Sequence, residues 1–155
     1  MGWMEPFILS SNQSGVVIPQ VETNPYVLKI WEDDFYWNRY FLVENRQAVG
    51  FDSDLPGPGL LIYHVDENQS FGPSRWSRGS VNDDETHKLV DIEEADGDFD
   101  LDDILLLNRG DAGDPYPGES NNTIFDNNSN PNSLRYDGTR TDISLTNITS
   151  YNEIM

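Results

Sequence analysis

The chain has 155 residues, the length of one ordinary domain spanning 1–155, and sets 28 Asp and Glu against nine Lys and Arg, for a formal net charge of −19. So negative a chain repels phosphate backbones and anionic bilayers, which excludes nucleic acid and membrane as partners and leaves divalent cations as its natural counter-charge. Cysteine is absent, which rules out disulfides, thiolate zinc sites and a cysteine nucleophile.

Hydrophobic residues make up 36%, with four Trp, seven Tyr and seven Phe. That aromatic content supports a folded core with long polar, acidic loops around it. The opening residues Met1–Leu9 lack a basic n-region and a long apolar stretch, so an export signal is expected upstream of this chain. No run approaches the roughly 18 apolar residues of a membrane span.

In chain order, Phe7–Leu9 and Val16–Ile18 flank the turn residues Asn12–Gly15 and predict a hairpin. Tyr26–Trp31 predicts a strand, with Glu32-Asp33-Asp34 as the turn after it. Tyr40–Asn45 predicts another, bounded by Gly50. Asp52–Gly59, with two prolines and two glycines, is a turn-rich loop leading into Leu60–Val65, an apolar run expected to form a central strand. Leu89–Ile92 predicts a further strand.

From Asp96 to Asn132 the chain is dominated by Asp, Asn, Gly and Pro, interrupted only by Ile104–Leu107, a short helix or strand. A segment this long without regular structure is uncommon unless it is functional or ordered by metal. Ile143–Ile148 alternates and predicts an edge strand. The expected class is mainly β, an antiparallel sheet or sandwich with long acidic, metal-ordered loops over about 94–132.

Several segments carry a resemblance. They are Tyr40–Gln47, Gly50–Asp52 with Leu55–Gly57, Gly59–Glu67, His87–Asp91, Glu93–Gly97 and Gly110–Pro115. In that order and spacing they resemble the immune inhibitor A-type family of secreted bacterial metallopeptidases. Gly2–Pro6 is similar to the stretch just after that family's catalytic core. The resemblance implies a secreted, extracellular protein, and a segment that packs beside an upstream peptidase core.

The family's enzymes bind zinc through an H-E-x-x-H helix, two histidines one turn apart with the glutamate as base. This chain has only His64 and His87, 23 positions apart. It is expected to begin after the catalytic motif, and zinc peptidase activity does not carry over to it.

Two constellations point to metal. Asp96, Asp98, Asp100, Asp102 and Asp103 crowd one stretch, with carboxylates at alternate positions as at the start of an EF-hand loop. Counted from Asp98, the sixth position is Asp103 where an EF-hand needs Gly, and the twelfth is Arg109 where it needs Glu, so an EF-hand is rejected. Gly110–Gly118 adds Asp111 and Asp114 on a Gly/Pro-rich loop. Hard oxygen donors without His or Cys favour Ca²⁺ over transition metals. Asp126, Asn128 and Asn130 are further possible ligands. The plain alternative is a solvated acidic turn.

A third constellation is His64-Val65-Asp66-Glu67 at a strand end, with Glu44, Glu93 and Glu94 in or beside strands. Glu44, His64, Asp66, Glu67 and Glu94 are the candidates for acid–base work, most plausibly in a two-carboxylate glycosidase acting on a polysaccharide. Trp31, Trp37, Trp76 and Tyr116 would suit sugar stacking, against the plainer reading of core aromatics. For His64 the plainer reading is a structural histidine bonded to a neighbouring carboxylate. The leading expectation is a non-catalytic, calcium-binding accessory segment; the alternative is an independent carboxylate-based hydrolase.

Overall fold

The computed structural model describes residues 4–31, 38–68, 82, 84–102 and 109–149. The predicted turn at 32–34, the apolar run at 104–107, Asp103, Trp37 and Trp76 fall outside those residues.

Regular structure among the described residues is almost all strand. Five strands form one sheet in the order β1 (Phe7–Leu9), β2 (Leu28–Trp31), β3 (Arg39–Arg46), β4 (Gly59–Asp66), β5 (Val90–Ile92). A second, two-stranded sheet pairs β6 (Ile124–Phe125) with β7 (Leu145–Thr146). The mainly β expectation holds. No helix among the described residues is long and apolar enough to cross a membrane.

β3 and β4 pair along all eight residues, from Arg39 opposite Asp66 to Arg46 opposite Gly59. Strand side chains alternate between faces, so Phe41, Val43, Ile62 and His64 share one side. Leu28 and Ile30 of β2 continue that face opposite Val43 and Phe41. All six side chains are buried. Ala95, Tyr116, Phe125, Ile143 and Ile148 cover them from the C-terminal half of the chain. Phe125 meets Phe41 edge-on at 5.2 Å between ring centres.

The opposite face carries Lys29, Tyr40, Glu44 and Tyr63. The Lys29 ammonium lies 3.4 Å from the Tyr40 ring centre. Tyr63 donates its hydroxyl to Glu44 at 2.8 Å.

Two expectations change. The hairpin between Phe7–Leu9 and Val16–Ile18 does not form: β1 lies parallel to β2, and 16–18 belongs to no strand. A three-residue run has little to choose between partners, and Phe7 finds a stacked partner in Tyr26 at 5.9 Å. The sheet is therefore mixed. Leu60–Val65 is an interior strand, but β3 occupies the centre of the sheet.

The long acidic region has little regular structure, yet its backbone is held. Asn122 donates its side-chain amide to the carbonyls of Ala95 and Asn130 at 2.8 and 3.2 Å. Ser133 donates its hydroxyl to Ile143 O at 2.9 Å, and Thr141 donates to Ser133 O at 2.8 Å. These two buried hydroxyls thus keep the partners that burial demands.

Candidate metal centre

Two loops converge just beyond the covered face of the sheet. The first leaves β5 at Ile92 and turns sharply: Gly97 N–H donates to Glu94 O at 2.9 Å, and Asp98 N–H to Asp96 Oδ1 at 3.1 Å. A single 3₁₀ turn over Asp100–Asp102 follows. Asp100 N–H donates to Glu94 Oε2 at 2.8 Å, which folds Glu94 under that turn.

The second loop, 110–118, is closed by its own aspartates. Asp111 N–H donates to Asp114 Oδ2 at 2.7 Å, and Gly113 N–H to Asp111 Oδ1 at 2.6 Å. Its far end is fastened to the start of β4 by reciprocal bonds of 2.8 Å between Leu60 and Tyr116. Gly59 permits that approach, since a Cβ there would lie 2.5 Å from the Tyr116 carbonyl oxygen. Ala95 N–H donates to Asp114 O at 2.8 Å and joins the two loops.

Convergence brings five carboxylates together. Glu94, Asp100 and Asp114 form one group and Asp96, Asp111 and Asp114 another, each with oxygens within 4.8 Å of one another. Either group could hold a metal ion. Gly113 makes the second group possible: a Cβ there would sit 2.1 Å from Asp96 Oδ2.

Asp114 belongs to both groups and is 5% exposed; Glu94 is 1% exposed. Asp114 Oδ1 and Asp100 Oδ1 are buried with no hydrogen-bond partner. Among the described residues no Lys, Arg or His pairs with any of the five. At an effective dielectric near 20, two charges this close repel by about 3 kcal/mol.

Protonation answers that repulsion when no cation does. Burial pushes the Glu94 carboxyl up to about 7; the Asp100 amide opposes the rise, and the Asp114 and Asp100 charges add to it. Burial pushes Asp114 up to about 6, opposed by the Asp111 amide and helped by the charges of Asp111, Asp100 and Asp96.

The sign for stability follows. Both groups titrate above their ordinary values of 4.5 and 3.8, so the folded state favours the protonated forms. Their contribution is complete below about pH 4 and is lost as the pH rises through about 6 and 7. Asp66 has the opposite sign but acts only near and below 3.8. The chelated protein is therefore expected to melt higher at pH 5 than at pH 8. Thermal melts at the two values check this, and an equal or higher melting temperature at pH 8 contradicts it.

The other residues singled out from sequence go elsewhere. Asp98 belongs to neither group, and Asp102 pairs with Lys88, whose ammonium also lies 3.2 Å from Asp91. Asp126 Oδ1 accepts from the amides of Asn128 and Ser129 at 2.7 and 3.0 Å and so closes its own turn. Glu94, a candidate acid by sequence, stands among the potential ligands. Its signal was its place between the strand that ends at Ile92 and the Ala95-Asp96-Gly97 turn.

Each of the remaining catalytic candidates is held by a partner. Glu44 Oε1 accepts from Arg46 at 2.7 Å, and on the alternation of β3 it lies on the face opposite His64 and Asp66. Glu67 accepts the Tyr40 hydroxyl at 2.7 Å. His64 Nδ1 is 3.1 Å from Glu93 Oε1, and its ring stacks on Tyr136 at 4.4 Å. Asp66 is fully buried, 2.9 Å from Arg39 Nε and 2.8 Å from His87 Nε2. Burial alone would raise Asp66, but hydrogen bonds from His87 and Asn68 with the Arg39 charge hold it below the ordinary carboxylate value. Tyr116 is fully buried, as a core aromatic.

No protein-family model, curated protein or solved structure matches the chain.

Proposed function

We propose that this chain is a non-catalytic, calcium-braced β domain, the accessory segment of a secreted metallopeptidase-like protein that packs beside an upstream peptidase core. The observation that carries the reading is the buried carboxylate of Asp114, shared by two groups of acidic oxygens with which no cationic side chain among the described residues pairs. The donors are all oxygen, the ligand class of hard cations. Oxygens within 4.8 Å of one another can share one ion at the 2.3–2.6 Å ligand distances of Ca²⁺. The ion's role is mechanical: it ties loop 94–102 to loop 110–118, and through the Leu60–Tyr116 bridge to the sheet. The secreted setting and the peptidase partner rest on the resemblance of Tyr40–Gln47, Gly59–Glu67 and Gly110–Pro115.

The test is a thermal melt after exhaustive chelation, with and without millimolar Ca²⁺, and with Mg²⁺ as a control. Ca²⁺ at a hundredfold excess over its Kd stabilises by about 2.7 kcal/mol. For a chain of this length that is a rise of roughly 5–10 °C. Superimposable melts with and without Ca²⁺ would sink the calcium reading. Turnover of chromogenic glycosides would instead favour the carboxylate hydrolase.

A further inference from the structure

We infer that the site takes two calcium ions bridged by Asp114: an inner ion between Glu94, Asp100 and Asp114, and an outer, weaker one between Asp96, Asp111 and Asp114. This rests on the calcium reading above and adds the number, order and coupling of the ions.

Three observations carry it. The first is the topology of the oxygens. The two groups meet only at Asp114, so a single ion would leave either Glu94 and Asp100, or Asp96 and Asp111, without a cation. The second is Asp114 itself, 95% removed from water, with one oxygen bonded to the Asp111 amide and the other unpartnered. A carboxylate so placed can offer one oxygen to each side, which is how carboxylates bridge paired cations. The third is charge. Ionised, the five side chains carry five negative charges; one divalent ion leaves three uncompensated, two leave one. Asp100 Oδ1, also buried and unpartnered, lies on the inner side, where an ion would satisfy it.

The two positions differ in setting. On the inner side Glu94 and Asp114 are buried and Asp100 is half-buried. On the outer side Asp111 is exposed and Asp96 half-buried. Attraction between ion and carboxylate weakens as water screens it, so the inner ion binds first and the outer one exchanges more readily. An affinity ratio of roughly tenfold or more is expected between them. The outer ion then senses free calcium, while the inner one is retained as structure.

Titration calorimetry and native mass spectrometry on the chelated full chain decide this, with Ca²⁺ as the titrant. Two equivalents with separated affinities are expected. Gly113→Ala, which pushes Asp96 aside, is expected to remove the weak equivalent and keep the tight one. Glu94→Gln is expected to remove the tight one and leave at most the weak. Asp114→Asn is expected to remove both. One equivalent in the unaltered protein overturns the bridged pair while leaving the calcium brace standing; none overturns both. Two equivalents that persist in Asp114→Asn, or a Gly113→Ala variant that still binds two, also overturn it. Because the stoichiometry of the unaltered chain decides on its own, a variant that fails to fold does not shelter the proposal.

Discussion

Replacing Asp114 with asparagine is expected to raise the melting temperature of the chelated protein and to abolish its response to calcium. The two halves have one cause. At pH 8 and without metal, Asp114 is an ionised carboxylate facing Asp111, Asp100, Asp96 and Glu94. Asparagine keeps an oxygen to accept the Asp111 amide at the position of Oδ2. Its NH₂ replaces the unpartnered oxygen and can donate to a neighbouring carboxylate, so a repulsion becomes a hydrogen bond. The gain is of order 1–2 kcal/mol at pH 8 and fades towards pH 5, where Asp114 is protonated already. Calcium then has no shared anionic donor to bind, and the rise of roughly 5–10 °C disappears. Melts of the two proteins at pH 8 and pH 5, each with chelator and with calcium, give the full pattern. A variant that melts lower than the unaltered protein under chelation, yet still responds to calcium, would show that Asp114 serves packing alone.

The other large effect is structural. Phe41→Ala is expected to cost about 3–5 kcal/mol, the range for removing a fully buried aromatic side chain. Phe41 is 1% exposed, on the middle strand of the sheet, and its ring centre lies 4.5 Å from that of His64 and 5.2 Å from that of Phe125. It therefore joins the sheet to the C-terminal half that brings up β6 and β7. For a chain of this size the loss lowers the melting temperature by roughly 6–20 °C, a large share of the 5–15 kcal/mol that holds an ordinary domain together. Denaturant unfolding followed by tryptophan fluorescence measures it. A loss below about 1 kcal/mol would mean that this face of β3 is not the core. Calcium at a hundredfold excess over its Kd should restore about 2.7 kcal/mol of the deficit, because the carboxylate loops lie on other elements.

The cores of β3, β4 and β5 were legible locally. Apolar runs bounded by Gly, Pro and Asp leave the backbone few alternatives, and Tyr40–Asn45 and Leu60–Val65 fall within Arg39–Arg46 and Gly59–Asp66. Sequence alone also settled the chemistry on offer: oxygen ligands in excess, no thiol, and no pair of histidines one helical turn apart.

Which aspartates meet was decided by tertiary structure. Alternate spacing grouped Asp98, Asp100 and Asp102 as ligands of one loop, as at the start of an EF-hand loop. The chain instead makes a 3₁₀ turn at Asp100–Asp102, where residues two apart point to different sides. Asp100 turns to Glu94 and Asp114, and Asp102 to Lys88. The parallel pairing of β1 with β2 was invisible for a related reason: a three-residue strand is chosen by distant packing and by no local pattern. Composition fixes how much negative charge the chain must accommodate. Only the fold, by docking loop 110–118 on β4 and lowering Asp114 out of water between two groups of oxygens, determines where a cation gains most by entering.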